Sequence, residues 1–527
     1  PRLEHDFLGE MRIPSDTYYG IQTYRAVENF PISGVSIASF PELIKALGLV
    51  KKASAIANMQ FGVLPREIGD AICAACDEII EGKLHDQFPV DCIQGGAGTS
   101  TNMNANEVIA NRALELLGHK KGEYEYCHPN NHVNCSQSTN DIYPTALRIA
   151  LYTMLGQLTG DMAYLQQGFA AKSEEFSDVI KMGRTQLQDA VPMTLGQEFG
   201  AYATTIGEDI LRVEESRKLL LEVNLGATAI GTSINAPKGY AEVASKSLAE
   251  VSGIPVLLST NLIEATWDTG AYVQTSGVLK RIAVKLSKIC NDLRLLSSGP
   301  RTGINEINLP RLQPGSSIMP GKVNPVIPEV VSQVAFDIIG KDVTITMAAE
   351  AGQLELNVME PIIAFSLSNG IHRLRQAMRT LQDRCVSGIT ANKERCRSMV
   401  ENSIGIITAL NPYLGYETSA SIAKEALETD GSVIDIVLAR NLLSREKLDD
   451  ILAPEHMINE SNDRGNLPEK EGAPGFSQRR STGWDCTEGV SIRLRNRGTA
   501  PELPPASLAA AGERYVPIRS VKKRPVP

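Results

Sequence analysis

Apolar residues recur at every third or fourth position through the middle of the chain, and this helical spacing restricts the fold more than any other sequence feature. The pattern predicts four helices of above-average length, which cover residues 146–165, 195–223, 270–296 and 327–351. The alternation that is typical of strands is scarce. Long antiparallel helices joined by glycine-containing loops bury their apolar faces against one another. The sequence therefore predicts a mainly α protein with a central bundle of long helices.

Charge and cysteine content narrow the classes of partner and compartment. The 527 residues carry a formal net charge of -9, which disfavours nucleic acid or an anionic membrane as the main partner. No apolar run reaches the roughly eighteen residues of a membrane span, and charged residues interrupt the first twenty positions, so we expect neither a membrane segment nor an export signal. Nine scattered cysteines favour a reducing compartment. We therefore expect a cytoplasmic protein that binds small molecules.

A C-x-x-C pair, Cys73 and Cys76, lies in a helix-like stretch without a second pair at zinc-site spacing. We interpret both cysteines as small buried apolar side chains. The sequence shows no ligand cluster that would locate a metal ion.

Five loops rich in Gly, Ser, Thr and Asn interrupt the predicted helices. They cover residues 95–106, 136–140, 183–189, 226–237 and 314–325. In the last loop, a glycine and two serines precede Lys322 and Asn324, so backbone N–H groups and one cation can converge on an anion. From the residues alone, an anion-binding loop and a glycine-rich structural connector both remain open.

Residues 315–325, GSSIMPGKVNP, resemble the signature segment of the aspartase/fumarase superfamily. Further blocks agree in order, and they cover residues 25–30, 95–107, 133–144, 183–190 and 226–235. The resemblance spans roughly residues 1–455 and is strongest to the enteric type of aspartase. Fumarases typically carry Ser-Ser-Asn where this chain has Ser138-Thr139-Asn140, and Thr-His where it has Thr185-Gln186.

The resemblance implies reversible anti-elimination of ammonia from L-aspartate to give fumarate, through an enediolate-like intermediate. It makes Ser316 the general base, which acts as an oxyanion on a mobile loop that closes over the substrate. Backbone donors and the nearby Lys322 would favour that ionisation. The other residues that the resemblance places at the substrate are Thr99, Ser138, Thr139, Asn140, Thr185, Gln186, Ser317, Lys322 and Asn324.

The implied contacts divide by the group of the substrate that they reach. Hydroxyl groups surround the β-carboxylate, where the negative charge of the intermediate develops; they belong to Thr99, Ser138, Thr139 and Ser317. Lys322 and Asn324 hold the α-carboxylate, with Thr185 assisting. Asn140 and Gln186 lie near the amine.

Three alternatives remain beside this interpretation. A fumarate hydratase of class II would add water across the same double bond, although Thr139 and Gln186 disfavour it. A non-catalytic relative is disfavoured by the intact site residues. His132 and His128 are rival general bases, since histidine titrates near neutrality. Glu329 has no evident role without a histidine partner.

The resemblance also implies an architecture. It predicts a three-domain chain in a homotetramer whose active sites combine loops from three subunits. The predicted segments are an N-terminal domain 1–140, a helix-bundle domain 141–395, a small helical domain 396–457 and a tail 458–527. Prolines and arginines predict disorder in the tail. No organic cofactor is implied, and a divalent cation such as Mg²⁺ is implied only as a possible activator.

Overall fold

Sixteen α-helices and four two-stranded sheets form residues 1–452, the part of the chain that the computed structural model describes. The mainly α prediction is confirmed. Within this part, no helix combines the length and the apolar character needed to cross a membrane. The predicted tail, residues 458–527, lies outside the described residues.

The first part of the chain packs three helices around one hydrophobic core. An antiparallel hairpin and a short helix precede them. The elements are β1 (Arg2–Asp6), β2 (Gly9–Ile13), α1 (Ile21–Asn29), α2 (Pro41–Gln60), α3 (Arg66–Ile80) and α4 (Thr99–Leu116). Cys76, on α3, is fully buried in this core, and burial raises the pKa of its thiol well above the ordinary value.

The middle of the chain contains five long helices that share the largest hydrophobic core, namely α5, α6, α9, α10 and α11. In chain order the elements are α5 (Thr139–Glu175), β3 (Ile180–Thr185), β4 (Gln188–Thr194), α6 (Leu195–Leu219), β5 (Glu222–Val223), α7 (Tyr240–Ser252), β6 (Leu257–Leu258), α8 (Leu262–Trp267), α9 (Gly270–Leu296), β7 (Ile307–Asn308), α10 (Val326–Glu350) and α11 (Glu360–Arg384).

Two of the predicted helices differ from the observed ones. The helix predicted for residues 195–223 ends at Leu219, because Glu222 and Val223 pair with β6 as a parallel ladder. The helix predicted for residues 146–165 extends in both directions as α5. Pro144 lies inside its second turn and cannot donate to the carbonyl of Asn140. Asn224 Nδ2 donates to that carbonyl instead, at 3.0 Å, which lets the helix tolerate the proline.

The last part of the described chain forms a small helical layer with its own core. The elements are β8 (Thr390–Ala391), α12 (Lys393–Glu401), α13 (Ile407–Leu414), α14 (Tyr416–Thr429), α15 (Val433–Ala439) and α16 (Arg445–Ile451). Ile180 and Met182 of β3 belong to this core, and α7 contributes to the core of the N-terminal helices. Side chains from the predicted segment 141–395 therefore pack in all three cores.

The bundle has two ends, and side-chain contacts show which helix termini share each end. At the first end, Arg148 near the start of α5 donates to Leu219 O at the end of α6, at 3.0 Å. Tyr272 at the start of α9 donates to Pro144 O, at 3.2 Å. The starts of α5 and α9 and the end of α6 therefore meet at this first end.

The second end lies at the other terminus of α5. Ser173 donates to Gly196 O at the start of α6, at 2.7 Å, and Lys172 donates to Ile389 O just after α11, at 2.8 Å. Because α5 contains 37 residues, a rise of 1.5 Å per residue separates the two ends by about 55 Å.

A buried ion cluster at the second end joins the β3–β4 hairpin to the segment that follows α9. Glu306, which is not exposed, lies 3.0 Å from Lys181 Nζ and 2.7 Å from Arg184 Nη1. Lys181 also contacts Glu198 on α6. Charges this deeply buried are tolerated only when they are paired, so the cluster fixes the hairpin relative to the loop before α10.

We predict that Glu306→Gln lowers the free energy of unfolding by about 3 kcal/mol, because it leaves Arg184 without its carboxylate and Lys181 with Glu198 alone. Urea unfolding monitored by circular dichroism measures this change. Asp178→Asn is the matched control, since Asp178 forms an exposed pair with Lys393 and should change stability by less than about 0.5 kcal/mol. Equal effects of the two substitutions would contradict the prediction.

Candidate active site

The first group of predicted site residues lies where α4 and α5 begin, at the first end of the bundle. Gly98, with φ +88°, precedes α4 and packs against Tyr143, so a Cβ there would lie 2.4 Å from that ring. Asn102 in α4 donates to Thr139 Oγ1 in α5, at 3.1 Å. The first turns of the two helices are therefore adjacent. This brings the exposed Thr99 to the end of the bundle that carries Ser138, Thr139 and Asn140.

Hydrogen bonds at the start of α5 leave defined donors and acceptors free. Ser138 Oγ accepts from the backbone N–H of Asn140, at 3.2 Å, so its hydroxyl hydrogen remains free to donate. Asn140 Nδ2 donates to Ala229 O, at 2.7 Å, which leaves Asn140 Oδ1 free to accept. The turn can thus donate to a carboxylate and accept from an ammonium group.

Asp141 holds the loop before α7 against this turn. Its carboxylate accepts from the backbone N–H groups of Ser138, Gly226 and Thr228, at 3.0, 3.1 and 2.9 Å. Burial raises the pKa of Asp141 to about 7, against the lowering effect of these three donors. The geometry of the turn and that of the loop therefore depend on the same carboxyl group.

The second group lies in the loop between β7 and α10, at the second end of the bundle. Gly315 N donates to Lys322 O, at 2.7 Å, and Asn324 Nδ2 donates to Gly315 O, at 2.9 Å, so the segment closes on itself. A Cβ on Gly315 would lie 2.9 Å from Asn324, which leaves little space for a larger residue.

Ser316 lies in this loop and its hydroxyl oxygen has two backbone donors. Oγ accepts from the N–H groups of Ile318 and Met319, at 3.2 and 3.0 Å. Hydrogen bonds to the charged form of a group favour that form. The loop therefore supplies the backbone donors that an ionised serine needs.

Lys322 is exposed and borders a cavity of about 650 Å³ next to the end of α9. Asn324 and Glu329 line the same cavity, together with Arg294 and Arg311. Among residues 1–452, no carboxylate lies within ion-pair distance of Lys322, so its charge is available for a ligand. Ser317 is also exposed beside this loop.

The third group forms the tip of the β3–β4 hairpin. Thr185 pairs with Gln188, and the two residues between them, Gln186 and Leu187, have φ values of +54° and +63°. Two central residues with positive φ are typical of a tight hairpin turn that matches the twist of its strands. Thr185 and Gln186 are both exposed, so the turn presents a hydroxyl and a carboxamide to whatever lies beyond it.

One chain does not bring the three groups together. The first group lies at the first end of the bundle, and the other two lie at the second end, about 55 Å away along α5. In the part of the chain that the structure describes, no hydrogen bond or ion pair joins any two groups. A site that uses all of them requires more than one copy of the chain.

The rival bases lie at a π-helical turn, Pro129–Val133: His128 immediately precedes the turn, and His132 lies within it. His128 Nδ1 accepts from the backbone N–H of Asn130, at 3.0 Å, and His132 Nδ1 accepts from that of His128, at 2.8 Å. Burial lowers the pKa of both rings. Each neutral ring therefore carries its proton on Nε2 and has no free lone pair for proton abstraction.

The sequence argument missed several polar residues that support the first group, among them Lys51, Asn102 and Asp141. A signal was present in α2, because Lys51, Ser54 and Asn58 recur at helical spacing and are all fully buried. Polar residues on the core side of a helix need partners from elsewhere in the fold. Their spacing could have predicted a buried polar network.

Comparison with protein families gives two matches. A family model described as "Lyase" matches residues 9–340. A second model, described as "Fumarase C C-terminus", matches residues 406–459. Together they account for all three groups of predicted site residues and for most of the small helical layer.

Individual relatives and solved structures agree with these matches. The chain is 61% identical over 457 residues to an aspartate ammonia-lyase of Helicobacter pylori, covering 87% of this chain and 98% of that one. A crystal structure titled fumarate lyase:delta crystallin from Brucella melitensis bound to cobalt is 57% identical, with a TM-score of 0.85, covering 86% and 99%. A recombinant class II fumarase from Schistosoma mansoni is 35% identical, with a TM-score of 0.82, covering 86% and 98%.

We predict that Gly98→Ala lowers the free energy of unfolding by about 2 to 4 kcal/mol. The new Cβ would clash with the ring of Tyr143, and the alanine backbone would have to adopt a left-handed conformation. Thermal unfolding measures the loss. Gly95→Ala in the same loop is the control, since its nearest neighbour, Phe30, lies 3.8 Å away. Comparable melting temperatures for both variants would show that the α4–α5 contact is looser than described.

Proposed function

The chain belongs to the aspartase/fumarase superfamily of lyases, and we propose that it is an aspartate ammonia-lyase. It catalyses the reversible anti-elimination of ammonia from L-aspartate to give fumarate. The support is its 61% identity to an aspartate ammonia-lyase over 457 residues, compared with 35% identity to a class II fumarase. The structural observation that carries the proposal is the Ser316 hydroxyl with its two backbone donors.

In the proposed reaction, ionised Ser316 removes a proton from the carbon next to the β-carboxylate. The electron pair of the broken C–H bond moves into that carboxylate and forms an enediolate-like dianion. The pair then returns to form the carbon–carbon double bond as the bond between the α-carbon and nitrogen breaks. Ammonia leaves, and fumarate remains. The backbone N–H groups of Ile318 and Met319 favour the ionised form of Ser316.

Stabilising the dianion is the main electrostatic task of the site. Preorganised hydroxyl donors do this without a counter-charge, and the loss of one donor typically costs about 10²- to 10³-fold in rate. The free hydroxyl hydrogen of Ser138 supports this role for the start of α5. The proposed donors to the β-carboxylate are Thr99, Ser138, Thr139 and Ser317.

The remaining contacts orient the substrate. Lys322, which has no carboxylate partner among the described residues, binds the α-carboxylate with Asn324, and Thr185 assists. The free Oδ1 of Asn140 is an acceptor for the amine, and Gln186 contributes a second carboxamide. A carboxamide does not exchange protons at neutral pH, which suits an ammonium leaving group better than a water molecule that must be polarised.

We propose that the active form is a homotetramer whose sites combine residues from different subunits. The separation of about 55 Å between the two ends of one bundle supports this, because one chain cannot unite its own groups. A stripe of exposed apolar side chains along α10 supplies a surface for a second copy of the chain. The stripe consists of Phe336, Val343 and Met347, which are 57 to 68% exposed.

The proposal requires no organic cofactor, since every step uses side chains and backbone donors. A divalent cation such as Mg²⁺ enters only as an activator, and residues 1–452 contain no cluster of three His, Cys, Asp or Glu side chains that could hold it. The proposed compartment is the cytoplasm. The free state of all eight described cysteines supports a reducing environment.

We predict that the protein releases fumarate from L-aspartate and not from L-malate. The ultraviolet absorbance of fumarate measures both reactions under identical conditions. Release from L-aspartate alone supports the ammonia-lyase. Release from L-malate alone would make the protein a fumarate hydratase and would remove the specificity role proposed for Gln186.

We predict that Ser316→Ala lowers kcat by about 10²- to 10⁴-fold, the usual contribution of a general base, and leaves the oligomer intact. His132→Gln is the control, because its ring has no free lone pair for the reaction, and its kcat should stay within about twofold of the wild type. Near-normal turnover by Ser316→Ala, with loss of turnover by His132→Gln, would reverse the assignment of the base.

We predict that mixing two variants of strongly reduced activity restores activity. Ser316→Ala and Thr139→Val carry their defects at opposite ends of the bundle, so a site that takes each residue from a different subunit can receive both wild-type residues. Random reassociation after mild denaturation should restore about a quarter of the wild-type activity, since half of the chains supply each residue. Recovery indistinguishable from zero would mean that each chain completes its own site.

A further inference from the structure

A buried polar network lies beneath the first turn of α5, and Thr139 is its one member with a part in the proposed reaction. It consists of Lys51, Asn134, Asn102, Asn106 and Thr139, and we name it the Lys51 network. Lys51 projects from α2 and is not exposed. Its ammonium group donates to Asn134 Oδ1 at 2.9 Å and to Gln137 Oε1 at 2.8 Å. Among the described residues, no carboxylate lies within ion-pair distance of it.

The chemistry of Lys51 determines which way Asn134 faces. An ammonium group has only donors, so the atom of Asn134 that it contacts must be the carbonyl oxygen. That Oδ1 also accepts from Asn102 Nδ2 at 3.2 Å and from Asn106 Nδ2 at 3.1 Å. Three donors therefore converge on one oxygen. The Asn102 and Asn106 carboxamides must both turn their NH₂ groups toward it.

The orientation of Asn102 in turn determines the polarity of the Thr139 hydroxyl. Asn102 Nδ2 has two hydrogens, and it donates to Asn134 Oδ1 and to Thr139 Oγ1, at 3.2 and 3.1 Å. Its Oδ1 accepts from no protein donor among the described residues. The two hydrogen bonds of Nδ2 therefore determine the orientation of the Asn102 carboxamide. Because Thr139 Oγ1 accepts from Asn102, its hydrogen points elsewhere and remains free to donate.

The direction in which the Thr139 hydroxyl hydrogen points determines whether Thr139 stabilises the dianion. A threonine hydroxyl can rotate, and it offers a neighbouring group either its hydrogen or a lone pair. If the Asn102 carboxamide were reversed, Thr139 would donate to Asn102 Oδ1 and turn a lone pair toward the carboxylate. A donor stabilises the developing negative charge, whereas a lone pair repels it.

We propose that Lys51 is a positioning residue that makes the Thr139 hydroxyl a hydrogen-bond donor to the β-carboxylate of the substrate. The inference rests on the proposed function, because it takes the role of Thr139 from there. It adds a residue that contacts no substrate and acts through two asparagines. Burial lowers the pKa of Lys51 to about 7, and its hydrogen bonds to two amide oxygens favour the protonated form.

The test is a double-mutant cycle between Lys51→Met and Thr139→Val, which removes the hydroxyl at nearly constant volume. We expect Lys51→Met to lower kcat by about 10- to 100-fold and to change KM by less than about threefold, since the donor strengthens mainly in the transition state. In the Thr139→Val background, Lys51→Met should lower kcat no further. A merely structural role would lower kcat by the same factor in both backgrounds and would overturn the proposal.

The adjacent lysine provides a matched control. Lys52 is on the same helix but forms a surface ion pair with Asp77, at 2.6 Å. Lys52→Met should retain the kcat and KM of the wild type. If Lys52→Met lowers kcat as much as Lys51→Met does, the effect is not specific to the Lys51 network, and the proposal fails.

A second variant covers the case in which Lys51→Met does not fold. Asn102→Asp keeps the shape of the side chain but replaces the NH₂ donor by an acceptor, so Thr139 must donate to it. We expect the same loss of kcat, again absent in the Thr139→Val background. An unchanged kcat for Asn102→Asp would overturn the inference.

The fate of the proposed function is decided separately, with the wild-type protein. An enzyme that converts only L-malate would overturn the ammonia-lyase proposal. The cycle would then be run with L-malate, because the same carboxylate gains charge in that reaction. An active wild type whose cycle shows independent effects would overturn only the role of Lys51.

Discussion

The length of α5 is the constraint on which the rest of the functional architecture depends. A helix of 37 residues separates its two ends by about 55 Å, and four further long helices share its core. Loops can therefore emerge only at the two ends. Each chain carries one set of hydroxyl and amide groups at the first end and the serine loop and hairpin at the second. A small dicarboxylic acid cannot bridge that distance, so a site that uses all three groups requires several copies of the chain.

In the proposed reaction, the site stabilises negative charge mostly with neutral donors. Around the first end, Ser138 and Asn140 present a free donor and a free acceptor that follow from the way α5 begins. At the second end, two backbone N–H groups meet the oxygen of Ser316, and Lys322 contributes the one cation assigned to the substrate. Neutral donors suit an elimination, because they stabilise charge that appears only transiently and do not bind the product tightly.

Two buried charged groups hold these segments in place by different means. Glu306 uses two cations to join the hairpin of the third group to the segment that leads to the serine loop. Lys51 has no carboxylate within ion-pair distance and instead orients amides through the directionality of its donors. In both cases the ion pairs or hydrogen bonds of the buried group offset the free-energy cost of burying its charge. The same bonds fix the positions of residues that the charged group does not itself contact.

The sequence by itself determined the helices and the chemistry of the loops. Helical spacing predicted α9 at its observed bounds, Gly270–Leu296, because the apolar residues that define an amphipathic helix are close to one another in the sequence. The loop from residue 315 to 325 stood out for the same reason, since its glycines, serines and lysine are neighbours in the chain. The domain boundaries and the individual roles of the site residues remain predictions.

Only the tertiary structure decided which groups meet. The end of α6 at Leu219 depends on a strand partner at residue 257, and the pairing of Glu306 with Arg184 spans 122 positions. The contact between Lys51 and Asn134 spans 83 positions. No local pattern encodes such contacts, because they arise when distant segments pack. The same packing placed the two sets of site residues at opposite ends of one bundle, which the sequence alone could not show.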